Sequence, residues 1–456
     1  MPDSFFSELI ASIAQRGRAL FPRHVQPRAI GQRQSIDNLC AALLSRRGEA
    51  SGVALAAEVL QAWSELDAAE KTAFLVKLAR DYGPSTSRLE AAVTEWNSKK
   101  DEATARNLHA AAEPRRQELI RRLNLAPAGT RRLVSMREEL FLHRREFPEL
   151  DTLDMDFLHL FSSWFNRGFL VLKRIDWNTS ASILEKIIRY EAVHAIGDWT
   201  ELRRRIEPDD RRLFAFFHPQ MLDEPLIFVE VALTDRIPDG IQPLLDPQRP
   251  ISPASSATTA IFYSISNCQQ GLKGVSFGNF LIKQVVEDLK RELPKLSQFA
   301  TLSPVPGFRQ WLEQQKQAGT LKPNELDALK DLDTVSSAPY LSLDSAVTDF
   351  IVRRAAEYFL IAKDRHGRPP DPVARFHLGN GARLEQLNPF GDRSSNGMKQ
   401  SYGLMVNYVY SPESIEANHE AFAEKGEVIA SEMVRAMLQP SKMPASAHPI
   451  RPLERA

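Results

Sequence analysis

The segment that decides the fold reads KGVSFGN at residues 273–279, between an apolar run at 260–265 and a helical pattern from Gly278 to Leu293. Glycines here let the backbone approach a ligand closely, and free N–H groups at the start of a helix attract phosphate. The spacing matches neither the dinucleotide fingerprint nor the P-loop. Taken alone, the segment also fits an ordinary strand-to-helix turn. The ligand-binding residues that it predicts are Lys273, Gly274, Val275, Ser276, Phe277, Gly278 and Asn279.

Other apolar, partly β-branched runs on both sides of this segment predict a sheet. Strands are predicted at 169–172, 213–217, 226–233, 260–265, 299–302 and 402–408, and helices at 278–293, 308–317 and 345–363. Because helices alternate with strands and cover them, the expected class is α+β with a mixed sheet.

The sequence before residue 165 is different, since it contains only six glycines and its apolar residues recur at helical spacing. Asp67 followed by Glu70 is typical of a helix start, and Gly83-Pro84 of a helix end. Further helices are predicted at 85–112, 114–125 and 131–145. This part of the chain is therefore expected to be an all-helical bundle with short connections.

The chain of 456 residues is long enough for at least two domains. We place a helical domain at 1–165 and an α+β domain at 166–456, which ends in a loose tail of about 15 residues. The 58 basic residues balance the 58 acidic ones, which argues against a nucleic-acid-binding protein. The arginine runs at 115–116 and 203–205 are expected on solvated helix faces.

The expected compartment is the cytoplasm. Two cysteines, Cys40 and Cys268, exclude a disulfide scaffold and fit a reducing interior. No apolar run approaches the roughly 18–20 residues that a membrane helix needs. Residues 1–23 are amphipathic and contain three arginines, but Asp3 and Glu8 weaken a reading as a transit peptide. The last residues carry no peroxisomal tripeptide.

Ser303 is the first candidate for chemistry. It follows a predicted strand and precedes Pro304 and Pro306, which would hold its hydroxyl on a rigid turn. A turn or helix-capping serine is the alternative. A strand–helix–strand unit would bring Ser303 and the glycine-containing loop to the same sheet edge.

His377 is the second candidate, within RFHLGNGA at 375–382. Histidine titrates near neutral pH, which makes it a suitable proton carrier, although a buried structural histidine is the alternative. The sequence has no HExxH spacing and no GxSxG elbow, so no metal site and no hydrolase triad are predicted.

Several segments in order resemble the malonyl-CoA decarboxylase family. They are 155–161, 262–266, 269–272 with the loop after it, 302–308, 376–378 with 380–382, and 403–408. The resemblance covers about residues 150–410. It implies a helical N-terminal domain used in oligomer contacts and a catalytic domain similar to the acetyltransferase (GNAT-like) fold, whose acyl-CoA loop has a spacing like that of 273–279.

The resemblance also implies a reaction, in which malonyl-CoA gives acetyl-CoA and carbon dioxide. The loop 273–279 would bind the CoA ester, and Ser303 and His377 would contact it as well. In catalysis Ser303 would be the proton acceptor and His377 the proton donor. Ser276 and Phe277 stand where some relatives have an acidic residue and a leucine, so a role for a loop carboxylate is not carried over. Because the malonyl thioester is its own electron sink, no cofactor and no metal are expected.

Two other functions remain open on the sequence. An acyl-CoA-dependent N-acyltransferase would share the fold and the loop, since fold alone does not fix the chemistry. A non-catalytic acyl-CoA-binding protein would use the same loop without turnover. We expect a homo-oligomer, dimer or tetramer, as the resemblance implies, with no nucleic-acid partner and no membrane partner.

Overall fold

The computed structural model describes residues 35–45, 48–221, 223–275, 277, 280–337 and 345–438. The predicted C-terminal tail lies outside these residues, as do residues 1–34. None of the helices in the described ranges is long and apolar enough to cross a bilayer.

The first part of the chain is a helical bundle. Its helices are α1 (Ile36–Ser45), α2 (Glu49–Glu65), α3 (Ala68–Asp81), α4 (Thr86–Lys99), α5 (Glu102–Ala112), α6 (Arg115–Leu123), α7 (Gly129–His143) and α8 (Leu150–Trp164). Asp67 and Glu70 form a reciprocal capping box at the start of α3, as their spacing predicts. Apolar faces of the bundle meet in one core, in which Leu119, Leu133 and Phe157 are buried.

The single helix predicted at 85–112 is wrong, because two helices, α4 and α5, occupy that range. The chain turns at Lys100, which adopts a left-handed conformation with φ of 50°. Asp101 then caps α5 by accepting a hydrogen bond from the backbone N–H of Thr104 at 2.8 Å. The capping signal of Asp101 was in the sequence, but helical periodicity continues across the break and hides it.

The second part of the chain forms one eight-stranded sheet in the described residues. Its strands are β1 (Val171–Ile175), β2 (Arg211–Phe217), β3 (Ile227–Thr234), β4 (Thr259–Asn267), β5 (Gln298–Thr301), β6 (Ser303–Pro304), β7 (Arg383–Asn388) and β8 (Met405–Val409). The order is β1-β2-β3-β4-β5-β8-β6, with β7 paired to β8. All pairs are antiparallel except β4 and β5, which are parallel. The predicted α+β class, a helical bundle followed by a mixed sheet, is confirmed.

Helices cover the sheet. They are α9 (Ala181–Tyr190), α10 (Trp199–Ile206), α11 (Gln242–Leu245), α12 (Phe280–Glu292), α13 (Phe308–Gln317), α14 (Pro323–Ser337), α15 (Ser345–Leu360), α16 (Pro372–Gly379), α17 (Ser395–Ser401), α18 (Ile415–Lys425) and α19 (Glu432–Ala436). Helix α12 connects the parallel strands β4 and β5, so the predicted strand–helix–strand unit is present. The first predicted strand, at 169–172, is displaced: a 3₁₀ turn occupies Arg167–Phe169, and β1 begins at Val171.

The expectation that the arginine runs lie on solvated faces is wrong for two of their members. Arg116 is buried and pairs with Asp156 of α8. Arg205 is buried as well, and its guanidinium donates to the Glu230 carboxylate at 2.8 Å. These partners are distant in sequence, so a run of arginines did not reveal them.

Candidate functional site

Ser303 lies just beyond the carboxyl end of β5, where the chain moves into the short strand β6. It is opposite Val406 of β8, and only 5% of its surface is exposed. Its hydroxyl donates a hydrogen bond to Oγ1 of Thr301 at 2.9 Å. Thr301 also accepts the backbone N–H of Tyr408 at 3.2 Å. The serine is therefore held within the sheet itself, and not on the rigid turn that Pro304 and Pro306 predict.

His377 is in the last turn of α16, whose first turn is capped by Asp371. The histidine is 3% exposed and its ring lies parallel to that of Tyr408, with 4.7 Å between the ring centroids. Its Nε2 is 3.2 Å from Oγ of Ser303, and its Nδ1 is 2.7 Å from the hydroxyl of Tyr410. The structure thus brings together the two residues that the sequence singled out, although 74 positions separate them.

The hydrogen bonds around the histidine form a chain. Burial raises the pKa of the Tyr410 phenol well above its usual value, so this hydroxyl keeps its proton. With Tyr410 donating to Nδ1, the imidazole carries its proton on Nε2 and donates toward Ser303. Ser303 then donates to Thr301, so every group in the chain has a partner.

His377 does not titrate near neutral pH, contrary to the expectation from the sequence for a histidine that carries a proton. Burial lowers its pKa from 6.5 to about 3, because the imidazolium is costly away from water. In the free protein the ring is therefore neutral at pH 7. Titration near neutrality, the reason for selecting this histidine, is not a property of the unliganded site.

The glycine-containing loop is described in part. Lys273 and Gly274 are exposed, Val275 is buried and Phe277 is half-buried, whereas Ser276, Gly278 and Asn279 lie outside the described residues. Gly274 has φ of 86°, a left-handed conformation that favours glycine.

A cavity of about 510 Å³ separates this loop from α16. The loop lines one side, and the other is lined by Arg375, Phe376, Gly379 and Asn380. Ser303 and His377 are not among the residues that line this cavity, although His377 is on the same helix as Phe376 and Gly379. Two larger cavities, of about 880 and 700 Å³, are lined by other elements; among described residues, neither includes the loop. The cavity of about 510 Å³ is the relevant one for the site, because it joins the described part of the loop to the helix that carries His377.

Sequence reasoning missed Tyr410 and Thr301. Thr301 is two positions before Ser303 in the same extended segment of chain. This spacing puts both side chains on one face of the sheet. Tyr410 follows Tyr408 by the same interval, one residue beyond the end of β8. The alternation of side chains could be seen in the sequence, but the sequence does not show which residues pack against each face. In the described ranges no three or more His, Cys, Asp or Glu side chains cluster as metal ligands would.

Comparisons with known proteins agree with one another. The model of the malonyl-CoA decarboxylase C-terminal domain matches residues 168–448, and that of the N-terminal domain matches residues 82–165. "Malonyl-CoA decarboxylase, mitochondrial" of Anser anser anser is 34% identical over 418 residues, which are 83% of this chain and 82% of the relative.

Solved structures give the same result. A malonyl-CoA decarboxylase from Rhodopseudomonas palustris is 55% identical, with a TM-score of 0.83 over 88% of this chain and 98% of that one. One from Agrobacterium vitis is 54% identical, with a TM-score of 0.84 over 89% of this chain and 100% of that one. Both domain models match in order, and the relatives are covered over most of their length. The chain belongs to the malonyl-CoA decarboxylase family.

Proposed function

We propose that this chain decarboxylates malonyl-CoA to acetyl-CoA and carbon dioxide, with Ser303 and His377 acting together and without a metal or an organic cofactor. The observation that carries the proposal is the buried contact between Nε2 of His377 and Oγ of Ser303, made from a helix that also lines a cavity together with the described part of the loop. Family membership supplies the substrate class, and the geometry supports the roles of the two residues.

The CoA ester would bind along the cavity between the loop and α16. Lys273 is exposed at its rim and can attract phosphate, while Val275, Phe277 and Leu281 give it an apolar wall. The malonyl group would pass beyond Phe376 to the buried pair. This arrangement separates a solvated nucleotide end from an acyl end shielded from water.

The chemical step breaks the bond between C2 and the departing carboxylate of the malonyl group. The electron pair moves into the thioester as an enolate, carbon dioxide leaves, and C2 then takes up one proton. The negative charge of the substrate carboxylate disappears with the carbon dioxide. A protonated group beside the carboxylate balances its negative charge before the step. When this group gives its proton to C2 it becomes neutral, so the buried site carries no net charge before or after the step.

His377 is suited to be that group. It is neutral in the free site, but a malonyl carboxylate nearby favours the imidazolium and raises its pKa. Nε2–H would then deliver the proton to C2, while Nδ1–H donates to the Tyr410 hydroxyl. Ser303, hydrogen-bonded to Thr301, would contact the carboxylate or hold the imidazole in place. General acid catalysis of this kind contributes about 10²–10⁴ in rate.

The experiment that tests the function supplies malonyl-CoA alone, with EDTA and no acceptor amine, and measures acetyl-CoA. Formation of acetyl-CoA at an undiminished rate is expected. A need for an acceptor would indicate the N-acyltransferase, and stoichiometric binding without turnover would indicate an acyl-CoA-binding protein. Loss of activity in EDTA that one metal restores would contradict the cofactor-independent mechanism.

We further propose a homo-oligomer that uses the helical domain. Large apolar side chains are exposed there at Leu125, Leu142 and Met155. Such side chains are candidates for contacts between copies of the chain. The cytoplasmic location and the domain boundary at 165/166 stay predictions.

A further inference from the structure

The helical domain contacts the catalytic domain at the base of the substrate loop. Helix α7 lies against the 3₁₀ turn Gln270–Leu272, which immediately precedes Lys273. The backbone N–H of Gly271 donates to Oε1 of Glu138 at 3.0 Å. The carbonyl of Gly271 accepts from Nη1 of Arg137 at 2.9 Å. Two consecutive side chains of one helix therefore satisfy both polar groups of a single residue in the other domain.

The contact is close enough to require glycine. A Cβ placed on Gly271 would lie 2.1 Å from the backbone oxygen of Val134 in α7, well inside the distance of a normal contact. The side chains of Leu272 and Val275 are buried in the core of the helical bundle. The turn and the first half of the loop thus pack as part of the helical domain, although they belong to the catalytic domain in sequence.

Arg137 is itself rigidly held. It is 1% exposed, and its Nε donates to the Asp154 carboxylate of α8 at 2.7 Å. Its guanidinium also lies over the Phe141 ring, 4.9 Å from the centroid. Because the ion pair and the ring fix its position, Arg137 holds the Gly271 carbonyl with little freedom.

We infer that Glu138 and Arg137 of the helical domain are positioning residues for CoA-ester binding, acting through Gly271 on the loop that begins two residues later. This inference rests on the proposed function of the loop. It adds a binding role to a domain for which only oligomer contacts were expected. Neither side chain touches Ser303 or His377, so the effect should be on binding and not on the chemical step.

The test uses Glu138 rather than Arg137, since removing Arg137 would leave the buried Asp154 without its partner and could prevent folding. Glu138→Ala removes the acceptor of the Gly271 N–H. Glu138→Gln keeps an oxygen that can accept the same bond. Glu139→Ala is the matched control, because Glu139 is the next residue of the same helix, is also half-buried, and pairs with His143 one turn further along that helix.

Acetyl-CoA is the binding probe, measured by titration calorimetry, and malonyl-CoA is the substrate for kcat and KM. We expect Glu138→Ala to raise the Kd for acetyl-CoA and the KM by about five- to fiftyfold, within the range set by leaving one buried N–H without its acceptor, at unchanged kcat. Glu138→Gln should restore most of the affinity, and Glu139→Ala should behave as the wild type.

Unchanged affinity in a folded Glu138→Ala protein would overturn the inference, as would an equal loss in Glu138→Gln. A fall in kcat alone would also contradict it. These outcomes are distinct from failure of the proposed function, which would appear as wild-type protein that does not bind acetyl-CoA or does not consume malonyl-CoA.

Discussion

Replacement of His377 and Ser303, singly and together, is the sharpest test of the proposed mechanism. Their atoms meet at 3.2 Å in a site where both side chains are at least 95% buried, so no bulk water is available to replace either group. His377→Asn leaves a polar side chain that is too short to occupy the position of Nε2. Ser303→Ala removes the hydroxyl and little volume. The cavity that would hold the CoA ester is untouched by either change.

The expected losses follow from this geometry. Each single variant should lose about 10²–10⁴ in kcat, the range for one positioned proton-transfer group, with little change in the Kd for acetyl-CoA. Since the two residues form one hydrogen-bonded unit, the double variant should be little slower than the slower single variant.

Steady-state formation of acetyl-CoA is measured for the four proteins, and circular dichroism melting shows that each is folded. His366→Asn is a suitable control, because His366 is exposed and its ring makes a local hydrogen bond, in which Nε2 accepts from Nε of Arg365 at 3.0 Å. Near wild-type turnover in His377→Asn would remove the histidine from the mechanism. Losses that simply multiply in the double variant would mean that Ser303 and His377 act independently.

Two other predictions concern the surroundings of the pair. Tyr410→Phe keeps the ring but removes the 2.7 Å hydrogen bond to Nδ1, so kcat should fall by about five- to thirtyfold; an unchanged kcat would show that the phenol does not orient the imidazole. His377 has a pKa of about 3 in the free site, and malonyl-CoA brings an anion next to it that raises this pKa. Binding of malonyl-CoA near pH 7 should therefore be accompanied by uptake of one proton by His377. Its affinity should fall as the pH rises through the pKa of His377 in the complex. Calorimetry of Ser303→Ala in buffers of different ionisation enthalpy measures this uptake; equal uptake with acetyl-CoA, which has no carboxylate, would refute it.

The sequence predicts well those elements whose boundaries depend on interactions between neighbouring residues. The capping box of Asp67 and Glu70 involves four consecutive residues, and α3 begins where it indicates. Strand β7 has no such signal. Its residues 383–388 are mostly polar, and it exists because β8 supplies its hydrogen-bond ladder. The break at Lys100 is a third case, because a local signal is present there in the capping residue Asp101, but helical periodicity on both sides hides it.

The candidate site likewise has residues that the sequence predicts and contacts that it does not. Ser303, His377 and the loop were accessible from motifs and from the family resemblance. The hydrogen bond of His377 to Tyr410, the stacking on Tyr408 and the contact between Glu138 and Gly271 join residues that are 31 to 133 positions apart. No periodicity encodes such pairs. The pKa of His377 was also out of reach, because it depends on burial created by strands and helices from several parts of the chain.

That pKa bears on how the site could discriminate between substrate and product. A buried imidazolium is costly, and burial is what lowers the pKa of His377 in the unliganded pocket. In the proposed reaction malonyl-CoA brings the compensating charge, and acetyl-CoA does not. The proton would therefore enter with the substrate carboxylate and remain on carbon when the carboxylate departs. A histidine that was already protonated in the free site would instead retain favourable contacts with no substrate bound, and would gain less from the malonyl group. On this reasoning the deep burial of His377 contributes to selectivity for a carboxylated acyl group as well as to the proton transfer itself.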